Sequence, residues 1–259
     1  MDTLYLNHPV FEQITKYESF YESLSFSVMG FIPLGTQGII NVDTYIYSSM
    51  QSTLESIKEL LTNGHINDAF TLLRKFYDAA IINIYTNLFL ADHFSIDNFV
   101  VQKIDGWLKG KEKLPRFGTM SAYIENSGKV KKITNLLKKD ETYTKLRDRL
   151  NDHTHYNKYY YALLNDNQIY LKNRISYLER FSKDLENILI LHLSYLFSIN
   201  DHYMMSSGYL DNLDIGLQPE PDSQYFVSPF IQEIFNNVIK QNRPDLAIEI
   251  QNNTPMRLE

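Results

Sequence analysis

Seven of the thirteen residues from Lys145 to Asn157 are Lys, Arg, Asp or His, the densest polar cluster in the chain. Within it stand two arginines, Arg147 and Arg149, and two histidines, His153 and His155. An Arg and a His together suit cleavage of a phosphodiester without a metal. The imidazole moves a proton near neutral pH. The guanidinium holds two phosphoryl oxygens and the charge that builds on them. Spacing decides whether they meet. Arg149 and His153 are four apart and share a helix face. Arg147 and His153 are six apart, about 600° of rotation, and face opposite sides unless the helix ends between them. Arg149 and His155 have the same relation. Asn151, Asp152 and the run to Asn157 favour a helix end here, beyond which a His folds back beside an Arg. Two other readings stand beside this one. A His pair near a helix end is often a helix-terminus or surface feature. His153 and His155 with Asp148 or Asp152 form only a partial metal set, for want of a third clear His ligand.

Few other chemistries are open. The chain has 259 residues and no cysteine, which excludes disulfides, thiolate nucleophiles and Cys-ligated zinc. It has no Gly-rich phosphate loop, no His-Glu-x-x-His and no Gly-x-Ser-x-Gly. Charge is uneven. Lys103 to Arg149 holds 13 Lys+Arg and 6 Asp+Glu, a net of +7, leaving −13 for the rest of a chain whose total is −6. One basic face on an acidic body, suited to phosphate backbones, is the functional reading, and solvated helical faces are the plain one.

The elements that must position these residues are helical. Only 10 Gly and 8 Pro argue against a turn-rich sandwich. A short helix is expected near 9–24, then an irregular or extended stretch to 42. Ile46, Met50, Leu54, Ile57 and Leu61 fall at spacings of three and four, predicting a helix from an Asp43 cap to Asn63-Gly64. The stretch 67–91 is apolar around much of its circumference and reads as a central helix. Short helices are predicted at 97–109, 119–126 and 129–139. The polar cluster ends a helix over 140–155. Tyr159 to Leu171, with a turn at Asn165-Asp166-Asn167, reads as a small β-hairpin. The longest helix spans 176–205, a Pro-containing linker 211–224, and helices follow near 228–240 and from Pro244. The fold class is thus all-α: an antiparallel helical bundle with a small β-hairpin and a C-terminal helical appendage. Arg74 and Asp78, four apart, are expected to pair with each other or with a neighbouring helix. His192 reads as a satisfied core histidine, and Trp107 as a packing residue.

The segment resembles the signature of the HEPN superfamily, in which an Arg, often followed by a polar residue, precedes a His by four to six positions. Arg147-Asp148, then four residues, then His153 fits that pattern. Arg149 to His155 fits the spacing, with Leu150 in the polar place. The helix from Ala69 to Asp78 is similar to an early bundle helix of HEPN-like proteins, and the resemblance covers about residues 43–205. It implies a dimeric helical bundle whose Arg and His residues meet in a shared cleft and cleave RNA, without metal or cofactor, by attack of the 2′-OH. Carried onto this chain, His153 serves as base or acid and Arg147 steadies the phosphorane. Arg149 and His155 form a second pair, and Asp148 and Asn151 orient these side chains. The motif here ends one helix, whereas the family places it near the start of the last.

Three stretches are expected: 1–42 as an N-terminal extension packed on the bundle, 43–210 as the HEPN-like domain, and 211–259 as linker and C-terminal helices. The expected function is a metal-independent endoribonuclease in a toxin or antiphage defence role; the competing one is an inactive HEPN-like binding or signalling module. The expected partners are RNA, a second copy docked through the apolar surface of helix 176–205, and an antitoxin or regulatory protein. No basic flank precedes an apolar run at the N-terminus and no run reaches the ~20 residues that span a bilayer. A cytoplasmic protein with no membrane partner is therefore expected.

Overall fold

The computed structural model describes residues 2–29, 42–169 and 172–259. Among them helix dominates and no β-strand forms; three isolated bridges are the whole β content. The helices are α1 (Thr3–Leu6), α2 (Val10–Met29), α3 (Val42–Thr62), α4 (Ile66–His93), α5 (Gln102–Leu108), α6 (Phe117–Asn126), α7 (Lys131–Leu137), α8 (Thr142–Thr154), α9 (Tyr159–Leu163) and α10 (Arg174–Ile199). Then come α11 (Gly208–Asp214), α12 (Pro229–Ile234), which runs on through a π-helical turn to Lys240, and α13 (Pro244–Asn253).

Helical periodicity places these elements. α3 buries Met50, Leu54, Ile57 and Leu61, the face read from the sequence, together with Tyr47. Gly64 closes it at φ 82, in the left-handed region that Gly enters without steric cost. α2 continues past the expected end to Met29, because Leu24, Ser25 and Val28 keep the buried face going. Most of the irregular stretch expected before residue 42 lies outside the described residues.

α2 packs along α3, α3 along α4, and α4 against α8, α10 and α6. One hydrophobic core runs from Tyr5 to Leu258 and passes through all three expected stretches. Ile231, Phe235, Ile239, Leu246 and Ile250 are as buried as Phe70 or Phe181. Burial of each such side chain contributes roughly 1.5–3 kcal/mol.

Two expectations are corrected. The hairpin over Tyr159–Leu171 is not formed among the described residues; α9 stands there, followed by turns. Tyr161 and Leu164 are buried and Tyr159 is exposed, a spacing of three rather than the two of a strand. The following turn caps α4 from outside. Leu164 C=O accepts from Ile66 N–H (3.1 Å), and Asn165 Oδ1 accepts from Asp68 N–H (3.1 Å). Helix N-termini need such acceptors. The linker expected from 211 is also partly helical, since α11 reaches Asp214.

Asp43 does not act as the expected cap. It lies in the first turn of α3 with its carboxylate turned inward. Oδ1 accepts from the amides of Asn83 and Asn87, both at 2.8 Å, and Oδ2 from the Tyr203 hydroxyl at 3.0 Å. The chain of bonds continues. His192 is buried as expected, its Nε2 bonded to Asn83 Oδ1 (2.9 Å) and its Nδ1 to the Tyr21 hydroxyl (2.7 Å). Burial lowers the His192 pKa to about 3, so the ring is neutral. Asn83 Nδ2 donates to Asp43, so its oxygen is free to accept, and Nε2 carries the proton. Asp43→Ala removes three acceptor contacts and leaves their donors buried and unmatched. Its unfolding free energy in denaturant is expected to fall by about 3 kcal/mol or more, whereas Tyr45→Ala, at an exposed position, changes it by less than about 0.5 kcal/mol.

Candidate functional site

α8 carries every candidate site residue except His155, which follows its last turn. Leu146 and Leu150 seat it on the core. The helix ends near its expected place: Tyr156, at φ 48, and Asn157 turn back to the carbonyls of His153 and Asp152. His155 is exposed beyond that end and does not fold back beside an arginine.

His153 points into the protein and is 3% exposed. Its ring lies between Phe70, stacked at 4.0 Å, and Tyr161, tilted at 4.0 Å. Asn67 on α4 holds it twice. The amide nitrogen donates to the His153 carbonyl (3.1 Å), and Oδ1 faces the ring Nδ1 (2.8 Å). The amide oxygen can only accept, which assigns the proton to Nδ1. Burial lowers the pKa to about 4; Asp152 opposes this, and Arg149 and Lys158 add to it. At neutral pH the imidazole is uncharged and closed off.

Arg147 lies elsewhere. Its guanidinium lies over the Phe117 ring at 3.6 Å and lines a cleft of about 260 Å³ with Tyr77, Tyr143 and Tyr195. Nε is buried with no acceptor, and no ion pair reaches the guanidinium among the described residues. Burial, and then the like charge of Arg74, pull its pKa down. Arg147 and His153 are separated by six residues, roughly 9 Å along the helix axis, besides their rotation. One chain does not bring them onto a common phosphate.

Arg149 is occupied by another task. It forms a two-point pair with Asp184 on α10, at 3.2 and 2.5 Å, and Asp184 is 1% exposed. Burial pushes the Asp184 carboxyl up, against the pull of Arg149. Asn151 accepts from Arg74 Nε at 2.9 Å, and Arg74 also pairs with Asp78 as the spacing predicts. Asp148 is exposed at the cleft rim beside Arg147. Asn151 thus serves Arg74, and neither it nor Asp148 is hydrogen-bonded to a histidine.

The basic stretch is partly paired on folding. Lys129 pairs with Asp92, Lys132 with Glu249, Lys139 with Asp245, Lys138 with Glu125 and Lys145 with Glu141. Lys103, Lys111, Lys113 and Arg116 form no ion pair among the described residues. The apolar surface of helix 176–205, expected to hold a second copy, is spent inside the chain: Leu178, Phe181, Leu185, Ile188, Leu189 and Leu193 are fully buried. No group of three or more His, Asp or Glu able to hold a metal occurs among the described residues, and no helix there is long and apolar enough to cross a membrane.

Asn67, Phe70, Tyr161, Phe117 and Asp184 decide this site, and none was singled out from the sequence for that role. Asp184 had a signal: it interrupts the apolar face between Phe181 and Leu185, where a charge requires a partner. Asn67 had a similar one. Phe117 had none.

No family model, no curated protein and no solved structure matches this chain. The HEPN resemblance therefore rests on Arg147, His153 and the helices that carry them.

The buried histidine gives a pH signature. In the unfolded chain His153 takes a proton near its ordinary pKa of 6.5, and in the folded chain only near 4. Stability from this group is complete above 6.5 and declines as pH falls towards 4. The loss amounts to a few kcal/mol, and His192 adds to it in the same direction. His153→Gln should make the decline in melting temperature between pH 6.5 and 4 measurably shallower than in the wild type.

Proposed function

We propose that this chain is a HEPN-like binding module that does not cleave RNA, and that Arg147 receives the phosphate of a single nucleotide unit. The observation that carries this reading is the separation of the two motif residues. Arg147 has no ion pair among the described residues and stands at the wall of a cleft, while His153 is neutral and walled in by Phe70, Tyr161 and Asn67.

The chemistry of the cleft supports a nucleotide. A guanidinium over an aromatic ring still has N–H donors that can meet an anion. Tyr77, Tyr143 and Tyr195 supply aromatic surface of the kind that receives a base. The volume of about 260 Å³ is just below the usual range of ligand sites, which limits the cleft to a small ligand or part of one and excludes a duplex. Of the carboxylates at the rim, Glu125 is paired with Lys138 and Asp140 accepts from Thr142 N–H, while Asp148 stands exposed beside Arg147.

The neutral, buried imidazole opposes catalysis. A base with a pKa near 4 is weak at neutral pH, and a ring without its second proton is no acid there.

Calorimetric titration with a nucleoside 5′-monophosphate tests the reading. Binding is expected to weaken about tenfold or more in Arg147→Ala, the loss of a charged hydrogen bond. Wild-type protein is expected to leave single-stranded RNA intact with EDTA present. Cleavage that disappears in Arg147→Ala while the melting curve stays unchanged would restore the ribonuclease reading. Absence of nucleotide binding removes the binding reading.

A further inference from the structure

Apolar side chains that the fold leaves uncovered gather on α11 and the turn after it. Leu210, Leu213, Ile215 and Leu217 are 57%, 49%, 70% and 56% exposed. They are carried by a rigid element. Gly216, at φ 74, donates its N–H to the Leu213 carbonyl (3.0 Å), and Leu217 N–H donates to the Asn212 carbonyl (2.8 Å). This is the Schellman closure of a helix. At the other end Ser207 Oγ donates to Asp211 Oδ2 at 2.8 Å. Clustered leucines on a hydrogen-bonded helix in water mark a docking element. The stretch 207–224 carries Asp211, Asp214, Glu220 and Asp222 and no Lys or Arg; Asp222 is paired with Arg257, which leaves Asp211, Asp214 and Glu220 without an ion pair among the described residues.

The chain also carries an apolar recess of the opposite surroundings. Val42 and Ile46 on α3, Ala79 and Ile82 on α4, and Trp107 and Leu108 on α5 line an open groove of about 460 Å³. The stretch 103–116, which includes Trp107 and Leu108, holds Lys103, Lys109, Lys111, Lys113 and Arg116 against Asp105 and Glu112. Lys111, Lys113 and Arg116 are exposed.

We propose that the α11 leucines of one copy seat in the α3–α4–α5 groove of a second copy, with the acidic stretch 207–224 against the basic stretch 103–116. Apolar contact supplies the affinity, and the opposed charges set the orientation. Each copy carries both surfaces, so two reciprocal contacts close a pair. The α10 surface takes no part, because it is buried within each chain. The pairing does not rest on the Arg147 cleft.

Trp107 is the chain's one tryptophan, half-buried in the groove, and it reports occupancy directly. Full-length protein is diluted from high-micromolar to nanomolar concentration while sedimentation mass and tryptophan emission are followed. The expected result is a mass of two chains that falls to 30.4 kDa, with a parallel red shift as water reaches Trp107. Leu213→Asp is an exposed change that the fold tolerates; it should weaken association about tenfold or more and give the red-shifted spectrum at all but the highest concentrations. Ala79→Arg should act likewise from the groove side. A mixture of the two variants keeps one intact leucine face and one intact groove, and should associate more tightly than either variant alone. A 30.4 kDa mass at every concentration overturns the proposal. So does a two-chain mass that survives Leu213→Asp with unchanged emission, and so does a leucine-dependent association whose Trp107 emission never moves, which would mean a different seat.

Discussion

A charge taken out of water must be surrounded by donors, and in this fold Asp43 sets that requirement at the centre of the bundle. Among the described residues no cation is bonded to its carboxylate. Three neutral donors, from Asn83, Asn87 and Tyr203, hold it instead. Those donors come from α4 and from the turn after α10, and His192 and Tyr21 extend the same network to α10 and α2. Asn200 closes it by donating to Asn87 Oδ1. Apolar packing is tolerant of small slides; a directional network is not. The register of four long helices is thereby tied to one carboxylate, and the position of α8 against α4 follows from that register.

The separation of Arg147 from His153 is a consequence of that packing. α8 lies along α4, and successive residues of α4 meet successive turns of α8. Asn67 and Phe70 receive His153, Arg74 meets Asn151, and Arg74 together with Phe117 of α6 confronts Arg147. A helix that lies on its neighbour in this way distributes a short motif over different environments. Arg149, on a further side, is drawn to α10 by Asp184. The polar cluster of the sequence is thus three separate arrangements in space: a buried histidine clamp, a stacked cation at a cleft and a two-point ion pair.

The helices of this protein were legible because burial of one face leaves a period in the sequence. Met50, Leu54, Ile57 and Leu61 announced α3, and His192 announced a satisfied core position. Segments whose conformation depends on a distant acceptor were not legible. Tyr159–Tyr161 has aromatic strand propensity, yet the chain there turns helical to present Tyr161 to His153 and Asn165 to the start of α4. The basic stretch misled in the same manner. Its charge was counted correctly along the sequence, but Asp92, Asp184, Asp245 and Glu249, which offset part of it, come from outside that stretch. Local composition carries no record of such pairings. The site was legible as a set of residues and illegible as a geometry.

The last of those partners arrive late in synthesis. Glu249 and Asp245 meet Lys132 and Lys139, and Arg243 donates to the Leu136 carbonyl. Phe235, Ile239, Leu246 and Ile250 are fully buried in the common core. A growing chain that has already delivered α10 therefore still exposes apolar surface and unmatched lysines until α13 clears the ribosome. Domains form as units once their sequence is available, and exposed intermediates aggregate. The α13 helix acts in this sense as a signal that the common core can close. A ribosome stalled between α10 and α13 would hold a sticky, locally basic nascent chain beside the polyanion that made it.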